Sequence, residues 1–499
     1  MTSVNTNVGA LNAQANMLKN QKAMEDAMAR LSSGLRLNTA ADDAAGVSIS
    51  ERMEAQIRGL SMAIRNSEDA QNLIDTVEGA HVEINASLQR LRELAVQSSN
   101  DTNSGVDRSF LKAEATQLIS EIDRIVDQTE WNGMKVLNGV FDSKQFQVGI
   151  DQTQDIVVDV ADVSASSIGT HIVNGVGQGT AAAAAAAANG LDDSLTLNGF
   201  LGSKSINTDA NASANAIATQ INAEVENTGI DAKAVSHAVI ASVSAAGIVG
   251  ITIGEDGSTT SAQTVTATVT TTDLSNLRDA INAVSGATGV TAGSLAGSQS
   301  SLLLKDADGH DIVLSNYTNT GAATATVTVQ GYNFLGTAAA TGEDATTLTE
   351  TTTDSVTVAG NLKLTSPEVF EVTATAAKMF GGSGSSATSF NSSLSNVGAI
   401  NIGTVTGAEQ AIDVIDGAIN KINEQRSYLG AISNRLDKTI NNLTNIVENT
   451  SESRSHINDA DFAAETTKLT KAQILNQAAT SMLAQANASK QSLLALLQQ

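Results

Sequence analysis

Two stretches of this chain, separated by hundreds of residues, carry the same apolar seam. Near the N-terminus, Met53, Ile57, Leu60, Ile64, Gln71, Ile74, His81, Ile84, Leu88, Leu91 and Ala95 follow a 3/4 spacing, with polar lapses at Gln71 and His81. After the polar break QSSNDTNSGVD (97–107), Leu111, Ala115, Leu118, Ile122 and Ile125 resume it. Near the C-terminus, Ile412, Ile415, Ile419, Ile422, Leu429, Ile432, Leu436, Leu443 and Val447 answer it. A heptad seam sustained over this length indicates paired helices rather than one isolated surface helix. The simplest pairing joins the two ends of the chain. Segments 43–165 and 405–452 then make one discontinuous α-helical coiled-coil rod, and 166–404 is an insertion at its tip.

The composition suits that plan. Aromatic residues are 3% of the chain, so its cores must be built from Ala, Leu, Ile and Val. With no Cys there is no disulfide framework, thiolate metal site or Cys nucleophile. The formal net charge of −25 argues against nucleic acid as a partner, because phosphate binding needs clustered Lys and Arg. Residues 160–400 hold 20 acidic and 6 basic residues, so most of the excess lies in the insertion, where it favours solubility.

The insertion is Ser/Thr/Gly/Ala-rich and strand-patterned, and it carries an internal repeat. One copy runs SLTLNG (194–199), a helical stretch (212–230), then a strand. The other runs TVTATVT (264–270), DLSNLRDAINAVSGATGV (273–290), then SSLLLKDADGHDIVLSN (300–316). Each has a short helix ending in Ile-Asn-Ala and a Thr-Gly turn. This predicts two or more small α+β units, at about 190–245 and 262–320. The Thr-rich alternation of 320–360 predicts further strand, and Ala181–Ala188 reads as helix or linker.

The extreme ends differ from the rod. Lys19 is the one charged residue in 1–20, and Lys490 the one in 472–499. Yet Leu11, Leu18, Met24, Met28, Leu31 and Leu35 at one end keep helical spacing. Ile474, Leu475, Met482, Leu483, Leu493, Leu494 and Leu497 do so at the other. Helices without a charged face belong inside an assembly, and these residues are its candidate self-assembly surface. In a free monomer such ends should be poorly ordered. No stretch is long and apolar enough for membrane insertion, and the N-terminus lacks the apolar core of a signal peptide.

Chemical motifs are sparse. DADGHD (306–311) opens like a calcium loop, but its twelfth position is Tyr317 where a bidentate Glu is needed, so it reads as a solvated acidic turn. GVGQG (175–179) lacks the glycine spacing and the Lys of a phosphate loop. The five His (His81, His171, His237, His310, His456) are scattered, and none lies in an HExxH pattern. Catalytic, cofactor-binding and metal sites are all read as none, and the chain as no enzyme.

At both ends the sequence resembles one family. VNTNVGALNAQ (4–14), LSSGLRLNTAADDAAGVSISERM (31–53), LQRLRELAVQSSNDTNS (88–104) and WNGMKVLNG (131–139) resemble the N-terminal signature of bacterial flagellins. RSHINDADFAAETTKLTKAQILNQAATSMLAQAN (454–487) resembles the C-terminal one. The resemblance implies a mixed fold. Terminal helices (1–42 and 453–499) would line a filament core. The helical rod would include a small β-hairpin region and carry inserted α+β and mainly-β outer domains. It implies a structural subunit polymerising into the extracellular flagellar filament for swimming motility, with a hook–filament junction protein or a filament-displayed adhesin as alternatives.

The partners so implied are the chain itself, the flagellar cap, hook-junction proteins, an export chaperone and the type III export apparatus, which needs no cleaved signal peptide. Gln89, Arg90, Leu94 and Glu114 match the positions at which a host Toll-like receptor binds flagellins. From the residues alone they read as a solvated helix face with an inter-helix ion pair.

Overall fold

The computed structural model describes residues 6–497, except 176–178, 183–193, 210, 256–261, 323, 340–344, 351–352, 375–379 and 381–387. The helices are α1 (Val8–Ser33), α2 (Ala44–Ser99), α3 (Gly105–Gln128), α4 (Ala214–Asn222), α5 (Val225–Thr228), α6 (Ser275–Ala283), α7 (Ser285–Thr288), α8 (Val405–Asn458) and α9 (Phe462–Leu497). The strands lie between α3 and α8. The chain divides into two compact units, one of residues 1–76, 142–159 and 428–499, the other of 77–141 and 160–427.

In the first unit, local sequence fixes where helices start. Asp43 Oδ1 accepts from the amides of Ala45 and Gly46 at the head of α2. Asp461 does the same for Ala463 and Ala464 at the head of α9. Short polar side chains at these positions satisfy amides that have no partner within the helix. Gly34 ends α1 in the left-handed conformation (φ +72°) that glycine adopts without strain. Leu60, Ala63 and Leu443 form a small core between the first part of α2 and the second part of α8. The hairpin 144–147/155–158 packs here too, with Gly59 as the contact: a Cβ on it would lie 2.7 Å from Ile150 Cγ2.

In the second unit the seam continues beyond Ile74. Val77, His81, Ile84, Leu88, Leu91, Ala95 and Ser98 are buried at alternating steps of four and three. On α8, Ala408, Ile415 and Ile422 are buried at seven-residue steps. Glu78 pairs with Arg426, Arg92 with Asp416 at 2.6 Å, and Ser98 Oγ donates to the Ile402 carbonyl. The helices thus run antiparallel. α3 begins with a capping box, Ser104 and Asp107 each accepting from the other's backbone amide. The strands 130–131 and 134–135 join through Asn132 and Gly133, both at positive φ, as an Asn-Gly hairpin requires.

The rest of this unit is antiparallel sheet around two cores. The strand 231–241 is central. It pairs with 301–306, 326–331 and 361–366, and so ties both repeats to the strands that follow them. A second sheet orders 263–269, 247–255, 312–319, 355–358 and 179–182. Ala181 and Ala182, read from sequence as helix or linker, lie in that edge strand. There backbone pairing to 355–356 overrides the helical propensity of alanine, while 183–188 lie outside the described residues.

The repeat is reproduced in three dimensions. Asn222 at the end of α4 donates to and accepts from the backbone of Ala232, and Asn282 near the end of α6 does so with Ala292. Thr228 and Thr288 each return a hydroxyl bond to a carbonyl four residues earlier. Gly229 and Gly289 then reverse the chain at φ +74° and +64°. The Ile-Asn-Ala and Thr-Gly signatures are therefore the hinge pins of one strand–helix–strand unit used twice.

Candidate assembly surface

The terminal helices α1 and α9 pack against each other within the first unit, and do so through small side chains. Ala27 is the residue of α1 that is buried, and Ala472 and the ion-paired Glu465 are those of α9 among the described residues. At one end of the pair, Asn7 caps α1 through Oδ1 while its Nδ2 donates to the Ala486 carbonyl at 3.2 Å. At the other end Arg30 lies between Asp42 (3.2 Å) and Glu465 (3.4 Å). The Glu465 carboxyl is held below its usual range, first by a hydrogen bond from Lys468 and then by Arg30. The Asp42 carboxyl is held low chiefly by the Thr39 amide. Arg36 reaches the Ile457 carbonyl, and Leu35 bridges to Asp459, so the chain leaving α1 is fastened to the α8–α9 corner.

What this pairing leaves outside is apolar. Leu11, Leu18 and Met28 on α1, and Ile474, Leu475 and Met482 on α9, are exposed, Met482 by 64% and Leu18 by 59%. Met24, Leu31, Leu35 and Leu483 are half-buried. Leu493, Leu494 and Leu497 lie in the last turns of α9, where side chains are outside the described residues. Single exposed hydrophobics are ordinary; here they repeat along two adjoining helices. Among the described residues no helix is long and apolar enough to cross a membrane.

Sequence reading missed Val8 and Phe462, which are exposed on the same helices, and Val106 and Phe110, exposed on α3. Phe110 adjoins the seam residue Leu111, and an aromatic next to a seam position was the available signal. On the second unit, Arg90 Nη2 meets Glu114 Oε1 at 2.8 Å and Glu93 at the same distance through Nη1, with Gln89 exposed beside them. Leu94 is not on that face: it is fully buried in the helical core.

The terminal segments also match known proteins. The bacterial flagellin N-terminal helical region matches residues 4–142, and the flagellin C-terminal helical region matches 412–497. The B-type flagellin of Pseudomonas aeruginosa is 38% identical over 99% of both chains. This chain belongs to the bacterial flagellins. A flagellin of Salmonella rubislaw is 34% identical, again over 99% of both chains. FliC from Burkholderia pseudomallei, at 19% identity over 73% of this chain and 99% of that one, superposes with a TM-score of 0.30, too loose to bear on the fold. The protein is a structural subunit of the bacterial flagellar filament, as full-length identity of 30–38% to flagellins establishes.

Proposed function

We propose that this flagellin polymerises through α1 and α9, with Leu11, Leu18, Met24, Met28, Leu31 and Leu35 packing with Ile474, Leu475, Met482, Leu483, Leu493, Leu494 and Leu497 of the same and neighbouring subunits. The observation that carries the reading is the apolar surface left open on two helices whose buried residues, among those described, are Ala27, Ala472 and the ion-paired Glu465. Contacts that repeat without closing on themselves generate a helical filament. Covering one leucine or methionine contributes about 1.5–3 kcal/mol, so a face of six supplies enough to offset the entropy lost on association. The segments 1–42 and 453–499 form the filament core in this reading, 43–165 and 405–452 the rod around it, and 166–404 the outer surface.

The chain leaves the cell unfolded through the type III export apparatus, with a chaperone and no cleaved signal. It is extracellular once assembled beneath the cap, above the hook-junction proteins. It carries no enzymatic activity. Gln89, Arg90 and Glu114 present the face a Toll-like receptor would meet on a free monomer, with Leu94 supporting it from beneath.

Replacing Leu11, Leu18 and Met482 together by Ser tests the assembly reading. Elongation from filament seeds should fall at least tenfold, while urea unfolding followed by Trp131 fluorescence stays unchanged. Normal elongation of the triple variant would refute the surface. For the receptor face, Arg90→Ala with Glu114→Ala should lower monomer signalling in receptor reporter cells; unchanged signalling would remove it.

A further inference from the structure

The turn that reads from sequence as a solvated acidic loop is not solvated at its first residue. Asp306, the last residue of the strand 301–306, is 1% exposed. Its Oδ1 accepts from the amides of Asp308 and Gly309. Its Oδ2 is buried and has no hydrogen-bond partner. His310 faces it, with Nδ1 3.8 Å from Asp306 Oδ1, and that Nδ1 is buried and equally without a partner. Glu255, at the end of the strand 247–255, brings a carboxylate to the same place. One ligand-competent atom from each of the three lies within 4.8 Å of the others.

The repeat supplies an internal comparison. In the first copy the space over the left-handed Gly229 is filled by the Phe200 ring, whose Cε1 lies 2.2 Å from where a Cβ would stand. In the second copy the equivalent Gly289 has Glu255 Oε1 at 1.7 Å and Asp306 Oδ2 at 3.3 Å from that position. An apolar plug in one unit is thus replaced by a carboxylate in the other, beside a buried aspartate. Two adjacent carboxylates repel one another, and a cation bound between or beside them offsets that repulsion.

We propose that Glu255, Asp306 and His310 bind one divalent cation of the zinc class. Two oxygens and an imidazole nitrogen suit a borderline ion that takes three protein ligands and a water. Ligand atoms around such an ion lie about 3.4 Å apart, which small side-chain rotations reach from the separations here. Calcium fits poorly, since it takes six to eight oxygens. Tyr317, at the calcium-loop position, is packed in the core.

The test is calorimetric titration of chelator-stripped full-length monomer with zinc chloride and, separately, calcium chloride. One saturable zinc site per chain is expected. Glu255→Gln, Asp306→Asn and His310→Gln should each weaken it by at least about 10–100-fold, the range lost when even outer-shell groups are removed. The amide introduced by Asp306→Asn keeps an acceptor for the two turn amides, and circular dichroism confirms that each variant is folded. Asp308→Asn, in the same turn but exposed, should bind as the parent does. Absence of saturable zinc binding, calcium binding in its place, or equal loss in the Asp308 variant overturns the proposal. So does parental affinity in any of the three ligand variants.

Discussion

Asp413 on α8 stands between two lysines of the second unit's sheet. Its Oδ1 is 2.6 Å from Lys233 Nζ and its Oδ2 2.7 Å from Lys363 Nζ. The Lys363 side chain is 5% exposed, and it lies over the Phe334 ring at 5.6 Å. Burial pushes the Asp413 carboxyl up, but Lys363 and Lys233 together outweigh it and hold it below the usual range. Asp413→Asn therefore strands a buried ammonium, which costs about 3–5 kcal/mol when one partner of such a pair is removed. The amide still accepts one hydrogen bond, so the lower end, about 3 kcal/mol, is expected. Lys233→Met removes a half-exposed partner and should cost no more than about 1 kcal/mol.

The assay is urea unfolding read by Trp131, the chain's one tryptophan, which lies in this unit. With slopes of about 1–3 kcal/mol per molar urea, the Asp413 variant should lose about 1 M or more in midpoint. Adding Lys363→Met to Asp413→Asn should recover most of the loss. Because the folded carboxyl is held low, its contribution is present above the ordinary carboxylate pKa and disappears as pH falls through the depressed value. If Asp413→Asn costs no more than Lys233→Met, or the double variant is no better than the single, the buried-charge reasoning is refuted.

His81 is fully buried in the seam with both ring nitrogens unpartnered, and burial holds its pKa down to about 4, with Glu78 opposing. The unfolded chain takes up that proton first, so about 3 kcal/mol of stability should be lost as pH falls from the ordinary imidazole value towards 4. His81→Leu should remove that part of the slope, and a parental pH profile would exclude it. His237, also held near 4 by burial, keeps its own slope. Gly417 on α8 touches the strand 169–174: a Cβ there would lie 2.7 Å from Thr170 Cβ and 2.8 Å from the Gly169 carbonyl. Gly417→Ala should therefore lower Tm, its overpacking cost of about 1–3 kcal/mol exceeding the roughly 1 kcal/mol gained in helix propensity. A raised Tm would show that the strand yields. Asn222→Ala and Asn282→Ala each orphan an amide and a carbonyl, so each should cost about 1–3 kcal/mol, and their effects on the urea midpoint should add. Strong non-additivity would mean that the repeats unfold as one hinge.

The paired ends are legible because heptad spacing is a local signal with a global meaning. In places that spacing sets the seam one residue off. Ile64 and Gln71 satisfy it, whereas Ala63, Ser67 and Ala70 are the buried positions, since close helix packing favours small side chains that carry little hydropathy. Leu94 follows Arg90 by one helical turn, which suggests a shared surface, yet it is on the seam side. The repeat is legible from Ile-Asn-Ala and Thr-Gly, but the bridging role of Asn222 and Asn282 is not. Strand order in the insertion is beyond sequence reading: 231–241 pairs with 361–366 more than a hundred residues away, and Thr-rich alternation carries no register. The Glu255, Asp306 and His310 cluster is hidden for the same reason. Glu255 reaches the Asp306 turn because 247–255 pairs with 312–319, a register that the sequence pattern does not show.

The central claim, that the charge-poor termini drive polymerisation, is tested most directly by microscopy of monomer seeded with short filament fragments. The full chain is compared with one lacking residues 472–499. Long filaments from the full chain alone, with the same Trp131 unfolding curve in both, are the predicted result. Filaments of equal length from the truncated chain would contradict the account.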